Sequence, residues 1–258
     1  MSTIVNGTNT AAVTNGALHL EDRFLAIAKG EVQDHSLMLK FGRNPDIDLT
    51  VKETVWEGGG LYTFDTNVVT LEILSSDTND VSTGAGARTM TVIGLGDNYT
   101  NKTETVSLDG TSAVALSGNW MRVHRCSIAT AGVNGTNFGT ITIRLSSGGA
   151  TRLVVTPQNG QTLMAVYTIP AGYSGYMQSY YASANAQTAA YIDIQLLTRS
   201  STGVINLKHQ QAIISSYTMH TFSSPFKITE KADVWIDATS SANNTDVCAG
   251  FDIILIKN

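Results

Sequence analysis

The chain has 258 residues, of which 42% are hydrophobic and only 14% charged, and its formal net charge is −5. That apolar content supports one large β unit or two of ordinary size and excludes wholesale disorder. The acidic balance, with no clustered Lys and Arg, excludes a nucleic-acid groove.

Residues 1–20 are rich in Thr, Asn and Ala and read as an arm with too little apolar content to order itself. Two readings fit the next stretch: a short helix over Glu21–Ala28 stopped near Gly30, or an extended docking strand. In either, Phe24, Leu25 and Ile27 are the candidate attachment anchors, with Arg23 and Lys29 as a polar rim. Phe41–Asp46 reads as a turn, because Asn44 precedes Pro45. Thr54–Phe64 carries three glycines between Trp56 and Tyr62 and does not match a phosphate loop, since no GKS/T follows.

Val68–Ser75 alternates as a strand. Thr89–Ile93, Thr103–Leu108 and Thr111–Leu116 read as a three-strand antiparallel meander, its second turn marked by Asp109-Gly110. Met121–Ala129 and Thr140–Leu145 complete about six strands, the size of an immunoglobulin-like sandwich. Turn residues at Ser146–Gly149 and Pro157–Gly160 offer two boundaries, of which the second is preferred. Alternation resumes through Leu163–Ile169, Gly175–Ala184, Tyr191–Arg199, Val204–Ile214, Tyr217–Phe222, Ser224–Ile228 and Ala232–Ala238. Phe251–Ile256 is apolar on both faces and reads as a central or covered strand. This set suits a jelly roll. The expected fold is therefore all-β: an arm and docking segment over 1–44, a first antiparallel sandwich over 45–157, and a second, jelly-roll-like one over 158–258.

Chemistry is sparse in the residues. Cys126 and Cys248 read as small core residues without a disulfide, and the five histidines lack ligand spacing. No metal or cofactor is expected. Asp233, Asp237 and Asp252 read as solvated carboxylates, and no Gly-x-Ser-x-Gly elbow is present, so no catalytic residue is assigned. Arg122 and Arg125, flanking His124, read as a solvated face or an interface salt bridge. Tyr173, Tyr176, Tyr180, Tyr181 and Trp235 would make either a subunit interface or a sugar-stacking platform. The N-terminus lacks a signal peptide and no run is long enough to span a bilayer, so synthesis in the cytoplasm is expected.

From Phe41-Gly-Arg-Asn-Pro-Asp46 onward the chain resembles a family of tailed-bacteriophage virion structural proteins. The resemblance rests on that motif, on Glu53–Phe64 (acidic-x-x-Trp-x-Gly-Gly-Gly-x-Tyr-x-Phe), on Gly86–Tyr99 with Glu104–Val106, on Ile169–Gly172 and on Phe226–Ala238. It covers about Val32 to the C-terminus and departs at Gly96-Asp97, where an Asp-Ala-like pair is the pattern. The resemblance implies a noncatalytic head, connector or tail component of the virion, made in the host bacterium. It implies partners among copies of the chain, a trimer being the expected state, and other virion proteins, with no nucleic acid and no membrane. Recognition of a host-surface glycan by the second sandwich is the alternative function, and a glycan-processing enzyme the third.

Overall fold

A computed structural model of the chain describes residues 2–6, 9–14, 17–20, 22–186, 190–214 and 216–258, the first three segments by their backbone. Strands β1 (Ser2–Asn6), β2 (Asn9–Thr14) and β3 (Ala17–Leu20) form an antiparallel meander of their own. The expected arm is thus strand. Its β-branched Thr, Ile and Val residues favour strand. Helix α1 (Arg23–Ala28) follows, capped by Asp22, whose carboxylate accepts from the Phe24 and Leu25 N–H groups. It ends at Gly30, with φ +75°. Of the two readings of this stretch, the helix is the one adopted.

Next come β4 (His35–Ile47), β5 (Glu53–Thr54), β6 (Leu71–Ser75), β7 (Ala87–Leu95), β8 (Asn101–Ser107) and β9 (Val114–Ala115). They are followed by β10 (Arg122–Ala131), β11 (Ile141–Leu145) and β12 (Thr151–Val155). The chain then runs through β13 (Val166–Thr168), β14 (Tyr173–Asn185), β15 (Tyr191–Arg199) and β16 (Ile205–Ile214). It closes with β17 (Tyr217–Ile228), β18 (Asp233–Ser240) and β19 (Thr245–Lys257). All named ladders are antiparallel.

Two sheets, ordered β10-β7-β8 and β12-β11-β6-β9, share one core. Leu71, Ile73, Met90, Val92, Ile141 and Leu153 meet there around the fully buried Trp120. The β7–β8 hairpin is the expected one, from Thr89↔Ser107 to Leu95↔Asn101. Its connection uses left-handed Asn98 and Tyr99. The third strand of the meander is corrected: β9 pairs with β6 in the facing sheet. At Asp109-Gly110 the chain makes a turn with Gly110 at φ +59°, but the Gly110 N–H is taken by the Asp80 carbonyl and its own carbonyl by Ser75 N–H. These bonds draw the chain across to the other sheet instead of back along β8.

A second pair of sheets, β13-β18-β15-β16 with β5 beside β18, and β17-β14-β19-β4, encloses a larger core. Tyr180, Ile192, Ile194, Ile236, Phe251 and Ile253 lie in it. β19 is central, between β14 and β4, as its apolar faces require. β4 overturns two readings. Phe41–Asp46 is no turn but part of a 13-residue strand, and Pro45 is tolerated where the ladder with β19 shifts register between Thr245 and Val247. The division after residue 44 also cuts through this strand, so 35–56 belongs with the C-terminal strands. A side chain on Gly42 would collide with the backbone of Met164 and Ala165, which pack directly over β4.

Candidate functional site

The two motif stretches at 41–46 and 53–64 fold onto each other. Asn44 donates to one Glu53 carboxylate oxygen at 3.1 Å and to the Thr54 carbonyl at 3.2 Å. Glu53 also accepts from the N–H of Gly60 at 2.7 Å and of Asp48 at 3.2 Å. Gly59 and Gly60 are left-handed, at φ +69° and +63°, and a side chain on Gly58 would strike the Trp56 ring. The glycines therefore let the loop close over Trp56, whose Nε1 donates to the Gly60 carbonyl.

From there the motif aromatics pack in a run, the first two contacts edge to face and the third tilted. Trp56 to Tyr62 is 5.1 Å between ring centroids, Tyr62 to Phe64 5.0 Å, and Phe64 to Trp235 5.0 Å. The Arg199 guanidinium lies 4.5 Å over Phe64. Beside this cluster is a cleft of about 340 Å³ lined by Tyr62, Phe64, Trp235, Lys52, Arg199 and Asp237. Asp237 accepts from the Thr54 hydroxyl at 2.7 Å, and burial pushes its carboxyl above the usual range. Trp56, Tyr62 and Trp235 are themselves buried, the last at 6% exposure, so the cluster is chiefly a third small core.

The aromatic residues singled out in the sequence are not assembled into one platform. Tyr180 is fully buried in the second core, its hydroxyl 2.7 Å from His209 Nδ1. Tyr173 packs against the same core. Tyr176 and Tyr181 lie on the opposite face of β14, since inward Gly175 and Tyr180 are their sequence neighbours. Trp235 belongs to the other sheet. The physical reason is the two-residue period of a strand, which sends adjacent tyrosines to opposite faces. Of the anchors, Phe24 and Leu25 are exposed but Ile27 is buried against β4. Cys248 is exposed instead of core, and Cys126 is buried; neither forms a disulfide.

The carboxylates are not free and solvated. Asp233 is buried and accepts from Arg122, Arg199 and Thr168. Asp252 accepts from the Ser179 hydroxyl at 2.7 Å. Among the described residues no group of three His, Cys, Asp or Glu could hold a metal ion, and no helix is long and apolar enough to cross a membrane.

Sequence reasoning missed the edge of the second unit. β16 and β17 follow each other in the chain, and each is the outer strand of its sheet. Ile205, Leu207, Ile214, Tyr217 and Met219 are all more than half exposed along them. The alternation of these strands was legible; their position at the edge was not.

No protein-family model and no curated protein matches the chain. Among solved structures, those of infectious bursal disease virus are similar at low level. The Gt strain structure is 10% identical, covering 87% of this chain and 73% of its own, with a TM-score of 0.19. The VP2 subviral particle of that virus is 10% identical, covering 87% and 72%, with a TM-score of 0.23. At these scores the likeness carries no argument about fold or function.

Proposed function

We propose that the chain is a noncatalytic structural component of a tailed-bacteriophage particle. Its two sheet pairs act as β-sandwiches, the second jelly-roll-like, that assemble with copies of the chain or with neighbouring virion proteins. The observation that supports this reading is the β16–β17 edge. Two long strands leave one side of their backbone hydrogen bonds unpaired and carry Ile205, Leu207, Ile214, Tyr217 and Met219 outward. Such an edge is an aggregation site in a monomer and a docking edge in an assembly. Phe24 and Leu25 on α1 offer a second apolar contact toward the particle. Sedimentation of the purified chain should give an oligomer, and the double variant Leu207→Lys with Met219→Lys should sediment as a folded monomer. An unaltered oligomer in that variant, or normal entry of the variant into particles when it replaces the wild-type chain, would sink the edge as the assembly surface.

The cleft beside Trp235 favours a second reading, recognition of a host-surface glycan. Its volume falls in the range of small-ligand sites, and aromatic walls with Lys52, Arg199 and Asp237 are suited to sugar hydroxyls. Glycan-array binding that disappears in Phe64→Ala would support it; an empty array would leave assembly as the sole role of this surface.

A further inference from the structure

Between the two sheet pairs, a crevice gathers cationic side chains without a carboxylate. Lys40, on β4, is 3% exposed, and its ammonium donates to the main-chain carbonyl of His124 on β10. His124 is 5% exposed, its ring 4.5 Å from that of Tyr167 on β13. The His124 Nε2 is buried and has no hydrogen-bonding partner among the described residues. Arg125 is half-buried and uses one N–H on the Leu39 carbonyl. These three side chains, with Asn101 and an apolar wall from Ile93, line a cavity of about 90 Å³.

The charges acting there are of one sign. Arg125 acts on Lys40, and Lys40, Arg122 and Arg125 act on His124. Arg122, the remaining neighbour, is already committed to Asp233 and to two carbonyls. Burial, then the charge of Arg125, brings the Lys40 ammonium down to about 7. A buried ammonium without a counter-charge is unfavourable, and a buried imidazole nitrogen without a partner adds to the cost. An anion placed beside Lys40 and Arg125 would relieve the uncompensated charge.

We propose that this crevice is a binding site for a small oxyanion of the phosphate or sulfate class, held by the Lys40 ammonium and the Arg125 guanidinium, with His124 in its wall. The size agrees: the cavity of about 90 Å³ exceeds the roughly 10–15 Å³ needed to hold one water, room for a tetrahedral oxyanion. Because the walls come from β4 and β13 on one side and β7, β8 and β10 on the other, the bound anion ties the two sheet pairs together.

The test is titration of the full chain with inorganic phosphate, by calorimetry and by thermal unfolding, at constant ionic strength in an oxyanion-free buffer. The expected result is saturable binding of one phosphate per chain, competition by sulfate but not chloride, and a rise in Tm that tracks saturation. Lys40→Met and Arg125→Ala should each weaken binding at least tenfold. Lys40→Met, which keeps the apolar stem, should lose the phosphate-dependent rise in Tm. If Lys40→Met fails to fold, Arg125→Ala reads the same site from a partly exposed position. A wild-type chain with no saturable response, an equal response to chloride, or a folded variant that binds as tightly as wild type would overturn the proposal.

Discussion

Arg122 Nε lies 3.1 Å from Asp233 Oδ1, with both side chains only 3% exposed, and the pair joins β10 of one sheet pair to β18 of the other. Asp233 also accepts from Arg199 at 2.6 Å and from the Thr168 hydroxyl at 2.6 Å. Removing one partner of a buried ion pair leaves the other charge desolvated, at a cost of about 3–5 kcal/mol. Asp233→Ala is therefore expected to lower the unfolding free energy by that order, measured by urea denaturation. A loss below about 1 kcal/mol, the range of an exposed pair, would show that the junction is solvated in solution.

The strand exchange between halves makes the halves inseparable by simple truncation. Residues 161–258 alone lack β4 and β5, and β19 would become an edge with its apolar faces uncovered. That fragment is expected to be unfolded or aggregated by circular dichroism and NMR. Deleting residues 1–40 removes Met38 and Lys40 from β4 and should also unfold the second sheet pair. Deleting 1–21, which spares α1 and β4, should leave the fold intact. A well-dispersed NMR spectrum from 161–258 would contradict the pairing of β4 with β19.

Asp80 organises the loops of the first sheet pair. Fully buried, it accepts from the Ser75 hydroxyl and from the N–H groups of Ala87, Phe138 and Gly139, all at 2.7–3.0 Å. Asp80→Ala strands three backbone donors, each worth about 1–3 kcal/mol when left unpaired in the interior. The expected outcome is loss of at least about 3 kcal/mol in chemical denaturation, or failure to fold. Near-wild-type stability would mean that water replaces the carboxylate without cost.

Lys40 gives a pH signature. Its folded-state pKa is lowered to about 7 from 10.5, so between those values the unfolded chain holds the extra proton and stability rises with pH. The lysine's penalty is full below pH 7 and fades as pH approaches 10.5. Wild type is thus expected to gain stability relative to Lys40→Met across that window in buffer free of oxyanions, with the variant cancelling contributions from other groups. A stability difference that stays flat from neutral to alkaline pH would place the Lys40 ammonium in contact with solvent.

Period-two alternation and Gly at positions 30, 59, 60 and 110 are local facts, and the sequence by itself determined most strands and several turns and offered the helix as one of two readings. It limited β19 to a central or covered place, because both its faces are apolar, and the pairing with β14 and β4 decided for the central one. Strand pairing was decided elsewhere. Nothing near residues 35–47 says that their partner is 245–256, because a strand's hydrogen-bonding groups are the same whichever chain segment meets them. The same applies to β9, which the Asp80 and Ser75 backbone bonds to Gly110 carry to the facing sheet. At the sites, residue type was legible but not environment. Trp235 and Tyr180 looked fit for a surface and are core, while Lys40, His124 and Arg125 drew together across a junction between segments far apart in sequence. The Lys40 and Arg125 charges meet only because backbone pairing and apolar burial, which fix the two sheet pairs, outweigh the electrostatic cost at one crevice.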